Sequence, residues 1–205
     1  MIRIYLVRHG IAVDHADKAD LPDDSRPLTE KGRRRFRRLA RTFARLGEPI
    51  DRIFTSPLPR AVQTAEILAS ALRQGDVGIL ESLRPSAPPE ALLQEVAKKA
   101  KGAQSVALVG HNPQMTLLVE LLGDVPRGAT IDFKKGSIVR IDVSELTAPK
   151  ETEAVFWLKP KSRVLAKGLP LAKPHEPRMP AKPHELRAAA KPADARPAAK
   201  KAPEK

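Results

Sequence analysis

The sequence predicts a three-layer α/β sandwich, with a mostly parallel central sheet covered by helices on both faces, followed by a disordered C-terminal tail. Three observations carry this. Short apolar runs alternate with segments of helical periodicity over residues 1–158; the run Ser105–Val109 is nearly all apolar; and from Ala172 onward the chain repeats a nine-residue unit rich in Ala, Pro and Lys. Alternating strands and helices favour a parallel sheet covered on both sides, and a continuous apolar run fits its central strand.

The strands are expected at Ile2–Val7, Arg52–Thr55, Ser105–Val109, Ser137–Val143 and Ala154–Leu158. The first long helix is expected from about Thr29 to Leu46, with Thr29 as its cap and Gly47 ending it in a left-handed turn. Phe36, Leu39, Ala40, Phe43 and Leu46 recur at helical spacing and form its buried stripe, while Arg33, Arg34, Arg37, Arg38, Arg41 and Arg45 form a solvated face. A second helix, about Leu58–Leu72, buries Ala61, Ala65, Leu68 and Leu72, with Gly75 just beyond its end. A third lies near Pro89–Lys99, and a fourth opens with Asn112 as cap and Pro113 at the first helical position.

The domain boundary is placed after residue 158, so that 159–205 forms a linker and tail. The repeats read AKPHEPRMP, AKPHELRAA and AKPADARPA, then AKKAPEK; their apolar content is too small to offset the entropy of ordering. The formal net charge is +13, and residues 159–205 carry 13 Lys/Arg against 4 Asp/Glu. Most of the excess charge is therefore expected to act through the tail, as a salt-sensitive contact with a polyanion. The tail has no aromatic residue for base stacking, which argues against sequence-specific RNA binding.

No apolar run approaches the length that spans a bilayer, and MIRIYLV is too short for a signal-peptide core, so no membrane contact is expected. With no cysteine there are no disulfides and no thiolate metal sites, and a cytoplasmic location is expected. Asp14, Asp17, Asp20, Asp23 and Asp24 lack a calcium-loop spacing and read as a solvated loop. His15 reads as a surface residue, and His175 and His184 follow the repeat rather than form a ligand cluster. Neither a P-loop nor a dinucleotide fingerprint is present. No metal and no cofactor are expected.

Open parallel sheets bind ligands beyond the carboxyl ends of their strands. Three predicted strand ends carry polar residues suited to one chemistry: Arg8-His9-Gly10, Ser56-Pro57-Leu58-Pro59-Arg60, and Gly110-His111-Asn112-Pro113. Arginine offers planar, permanently charged donors matched to phosphate oxygens, and a neutral imidazole is a competent nucleophile near pH 7. One histidine would attack phosphorus while the other donates to an equatorial oxygen. Catalysis would be positioning plus electrostatic stabilisation. Arg26, from the preceding loop, either contacts substrate phosphate or pairs with Asp23 or Asp24.

LVRHG at 6–10, SPLPRAVQTA at 56–65 and VGHNP at 109–113 resemble the histidine phosphatase superfamily, and DDSRPLTEKG at 23–32 resembles its SixA-like branch of phosphohistidine phosphatases. The resemblance spans about residues 1–145. It implies a phosphoglycerate mutase-like fold, His9 as the phosphorylated nucleophile, and Arg8, Arg60 and His111 around the phosphoryl group. The implied substrate is a phosphohistidine-bearing protein or a small phosphorylated molecule. A phosphate monoesterase or mutase with the same nucleophile is the enzymatic alternative, and a polyanion-binding module acting through the tail is the non-enzymatic one. Many superfamily members use a carboxylic acid to protonate the leaving group; LESLRPSAPPEAL at 80–92 matches that motif poorly, leaving Glu81 and Glu90 as candidates by location only.

Overall fold

A computed structural model of the chain describes residues 1–14, 21–123, 125, 130–160 and 165–168. His15, Asp17, Asp20 and the repeat segment with His175 and His184 lie outside the described residues. The strands are β1 (Ile2–Arg8), β2 (Arg52–Thr55), β3 (Val77–Ile79), β4 (Ser105–Gly110), β5 (Ile138–Val143), β6 (Thr152–Leu158) and β7 (Leu165–Lys167). Among the described residues they form one seven-stranded sheet in the order β3-β2-β4-β1-β5-β6-β7. β1 pairs with β4 in parallel, as do β2 with β4 and β2 with β3. The β1–β5, β5–β6 and β6–β7 pairs are antiparallel, so the parallel half of a mixed sheet holds the strand ends singled out above.

Two helices cover each face. α1 (Glu30–Ala44) and α2 (Pro59–Leu72) pack on one side, α3 (Pro89–Lys99) and α4 (Gln114–Leu122) on the other. The alternation of side chains along β1 distributes its residues between the two cores. Tyr5 and Val7 join Phe36, Phe43, Ala61 and Leu68, whereas Ile4 and Leu6 join Leu93, Met115 and Leu118. β4 is buried along its whole length, as its unbroken apolar run requires of a central strand.

Most local expectations hold, and the exceptions have physical reasons. The Thr29 side chain accepts from the Gly32 N–H, and Gly47 adopts φ 69°. Leu46, expected in the buried stripe, is 39% exposed. It lies past the end of α1, where helical spacing no longer sets its direction. α2 ends on Arg73 in a left-handed conformation at φ 58°, two residues before the expected Gly75. At α4 the cap is Pro113 rather than Asn112, so the helix starts one residue later than expected. β3 and β7 have three residues each, too few to show a period in the sequence; β7 falls within the segment read as linker.

The loop after β1 is pressed against the start of α1. Ile11 O accepts the Thr29 N–H at 2.9 Å, and Val13 N–H donates to Pro27 O at 2.9 Å. A Cβ on Gly32 would stand 2.1 Å from Ile11 O, a backbone atom that cannot swing aside. Within a helix, Gly→Ala ordinarily stabilises by about 1 kcal/mol. Here overlap decides the sign: Gly32→Ala should destabilise by about 1–3 kcal/mol, the usual range for overpacking. Gly75→Ala is the control, because nothing lies within 4 Å of its Cβ position. Urea denaturation of both variants checks this; equal stability would contradict the close approach.

Candidate active site

The strand register assembles the site. Arg8 of β1 stands opposite Gly110 of β4, so the residues that follow, His9 and His111, leave the sheet side by side. His9 N–H donates to Gly110 O at 3.0 Å, fixing the two chain exits together. The imidazole rings are 4.9 Å apart between centroids and inclined at 50°. Arg60 enters from the first turn of α2, whose approach is tied to β4 by Ser56 N–H donating to Val109 O at 3.0 Å. Thr64, one turn further along α2, accepts from Gly10 N–H at 3.1 Å and donates to Arg60 O at 2.6 Å, joining α2 to the His9 loop.

His9 is 6% exposed. Its Nδ1 lies 2.7 Å from Gly10 O. A carbonyl oxygen only accepts, so Nδ1 carries the proton and Nε2 keeps its lone pair. His111 is buried, and neither ring nitrogen has a hydrogen-bond partner among the described residues. Arg8 Nη1 donates to Phe133 O at 2.6 Å. Arg60 Nη1 donates to Asp23 O at 2.6 Å, and its Nη2 to Asp23 Oδ2 at 2.9 Å. Both arginines are thus held at their far ends, and both buried Nε–H groups have no partner among the described residues. Unpartnered buried donors of this kind are rare in folded proteins and call for an explanation. Oxyanion recognition supplies one.

Burial is the main reason that both histidines titrate far below 6.5. His9 is held at about 3 by desolvation, with Arg60, Arg8 and Lys135 adding to the depression and the Gly10 hydrogen bond opposing it. His111 is also held at about 3, by desolvation first and then by His9 and Arg60, with Asp23 opposing. The site therefore combines two neutral imidazoles with two permanent cations, a set that attracts a doubly charged anion and leaves an unprotonated nitrogen to meet it.

Arg26 takes the second of its two expected places. Its Nε and Nη2 donate to Asp23 Oδ1 at 2.9 and 2.5 Å, and its Nη1 to Val13 O at 2.7 Å. Glu81 is exposed and ion-paired with Arg84 at 2.7 Å, and Glu90 is exposed on the first turn of α3. The residues that sequence reasoning missed are Asp23, read as part of a solvated loop, and Thr64. The signal for Thr64 was its helical spacing from Arg60 inside SPLPRAVQTA. Among the described residues, no three His, Asp or Glu side chains are grouped to hold a metal ion, and no helix is long and apolar enough to cross a membrane.

Comparison with known proteins gives the family. The model of the histidine phosphatase superfamily (branch 1) matches residues 4–85. An uncharacterized protein of Picosynechococcus sp. is 34% identical over 163 residues, covering 78% of this chain and 98% of that one. A probable phosphoglycerate mutase, GpmB of Cronobacter sakazakii, is 40% identical over 91 residues; the chain spans only 41% of that mutase. Among solved structures, the protein histidine phosphatase SixA complexed with tungstate superposes with TM-score 0.64 at 26% identity, over 78% of this chain and 97% of that one. The putative phosphohistidine phosphatase SixA from Agrobacterium tumefaciens gives TM-score 0.59 at 26% identity, over 75% and 97%. The chain belongs to the histidine phosphatase superfamily, in its SixA-like branch. Members of that superfamily are phosphatases and mutases.

The buried histidines make a prediction for stability. Below pH 6.5 the unfolded chain protonates both rings, while the folded chain resists until about pH 3. The unfolded state then binds more protons, so stability falls as the pH drops through this window, with each ring contributing about 1.4 kcal/mol per pH unit crossed. His9→Gln and His111→Gln should each lose less melting temperature than the wild type between pH 7 and 4.5. Parallel pH profiles would show that these rings are not held neutral.

Proposed function

We propose that this enzyme is a phosphohistidine phosphatase working through a covalent phosphohistidine on His9 Nε2. The observation that carries the reading is the Gly10 carbonyl on Nδ1, which directs the lone pair to Nε2 beside Arg8, Arg60 and His111. Two features support the phosphohistidine preference. The solved structures named SixA are similar over three quarters of the chain, and the candidate acids Glu81 and Glu90 are exposed.

In the first step Nε2 of His9 attacks phosphorus and the substrate P–N bond breaks. The departing ring, protonated on its far nitrogen from solvent, leaves as neutral imidazole. Arg8 and Arg60 hold the equatorial oxygens by charge-assisted hydrogen bonds, and His111 donates to one of them. In the second step water attacks phosphorus and loses a proton, and the P–Nε2 bond breaks. Because Gly10 O keeps the proton on Nδ1, His9 is itself released as neutral imidazole, and inorganic phosphate departs.

The proposal predicts a strong dependence on the leaving group. An alkyl phosphate expels a poor leaving group, for which a positioned acid contributes roughly 10²–10⁴-fold. Phosphohistidine and aryl phosphates need little such help. The enzyme should turn them over well and be slow on alkyl phosphates, with Glu81→Gln and Glu90→Gln changing the phosphohistidine rate only slightly. His9→Ala should abolish both turnover and an acid-labile, alkali-stable phosphoenzyme. Sugar or glycerate phosphates cleaved as fast as phosphohistidine, with a large loss in either Glu variant, would instead favour the monoesterase or mutase that similarity to GpmB keeps in view.

A further inference from the structure

Asp23 lies in a 3₁₀ turn, Asp23–Ser25, in the loop between β1 and α1. Its two carboxylate oxygens have different partners. Oδ1 receives Arg26 and Oδ2 receives Arg60, and the Asp23 backbone carbonyl takes the other end of the Arg60 fork. The exposures of the two sides differ sharply: the Arg60 side chain is 4% exposed and that of Asp23 48%. A buried cation without a counterion is expensive, so this pair matters more to Arg60 than an ordinary surface bridge would. Arg26 is itself anchored on Val13 O, which gives the carboxylate a fixed back support. The neighbouring bridge from Asp24 to Arg84 joins two exposed side chains and adds little.

We propose that Asp23 is a positioning residue for oxyanion binding, holding Arg60 by its Nη1–Nη2 end so that the Nε edge faces the phosphoryl group. Arg26 acts one step further back, by holding Asp23. An arginine has five N–H donors in a rigid plane, so fixing two at one end orients the remaining three. The buried Nε–H of Arg60, which has no partner among the described residues, lies on the edge left over. Arg8 follows the same plan, with its Nη1 on Phe133 O and its Nε–H unpartnered among the described residues. The inference rests on the proposed phosphoryl site but not on the identity of the phosphorylated substrate.

Tungstate binding, measured by calorimetry on the full chain, tests it without turnover. Asp23→Ala should weaken tungstate binding on the order of tenfold, as removal of an orienting partner from a ligand-binding side chain does. Asp23→Asn should fall between Asp23→Ala and wild type, because one acceptor oxygen remains but not the charge. Arg26→Ala should weaken binding less than Asp23→Ala, and the double variant should be no worse than Asp23→Ala alone, since Arg26 acts through Asp23. Melting temperatures accompany each measurement; a variant that fails to fold is replaced in the comparison by Asp23→Asn and Arg26→Ala, which keep side chains in the loop or leave Asp23 on Arg60. Variants that bind tungstate as tightly as wild type, or more tightly, would overturn the proposal, the second result showing that Asp23 merely competes for Arg60. Additive losses in the double variant would overturn the relay through Arg26. Wild type that failed to bind tungstate would overturn the phosphoryl site, and this proposal with it. A phosphohistidine preference that fails in the substrate panel leaves the tungstate result standing on its own.

Discussion

The parallel pairing of β1 with β4 fixes where everything else in the site can stand. With Arg8 opposite Gly110, the next residue on each strand is a histidine, and the rings come within 4.9 Å of each other. A slip of one residue would turn both side-chain sets to the wrong faces and expose a core that is buried on both sides. The register that the two hydrophobic clusters enforce is therefore the same register that brings His9 and His111 together. Packing and chemistry are not separate demands on these strands.

That coupling explains the electrostatics. Strand ends in the middle of a covered sheet are dry, and dryness holds both imidazoles neutral while raising the strength of every charge left in place. Arg8 and Arg60 remain cations under the same burial because guanidinium does not give up its proton in proteins. The result is a pocket whose positive charge is permanent and whose His9 ring keeps an unprotonated Nε2. The anchors at Phe133 O and Asp23 keep that charge from collapsing onto other acceptors.

Much of this was legible in the sequence. The strands that matter end in Arg8-His9-Gly10 and Gly110-His111, and an apolar run followed at once by such residues reads as a strand feeding a site. The stripe of α1 was legible as well, since Phe36, Leu39, Ala40 and Phe43 keep helical spacing to the last turn. The supports were not. Arg8 leans on a backbone carbonyl 125 residues away, and a carbonyl has no sequence signature. Asp23 meets Arg60 across 37 residues, and in sequence it is one acid among several in a polar loop. The short strands β3 and β7 show no period because three residues cannot. Local pattern reports what a residue's own element does with it, and says little about what a distant loop does to a side chain.

The Gly10 carbonyl belongs beside the four side chains in the proposed reaction. A histidine phosphorylated on Nε2 breaks its P–N bond readily only if Nδ1 is protonated, because the alternative leaving group is an imidazolate. A side-chain acid near Nδ1 would exchange its proton with the pH, whereas an amide carbonyl has none to lose and can only accept. The 2.7 Å contact thus selects one tautomer before phosphorylation and the same tautomer after it. In the free enzyme this leaves Nε2 nucleophilic; in the phosphoenzyme it makes Nε2 part of a neutral leaving group. On the proposed reading, a single backbone acceptor serves both half-reactions. The acid that a carboxylate provides elsewhere is then needed only for substrates whose own leaving groups are poor, and an arrangement with exposed Glu81 and Glu90 suits phosphoramidates better than alkyl esters.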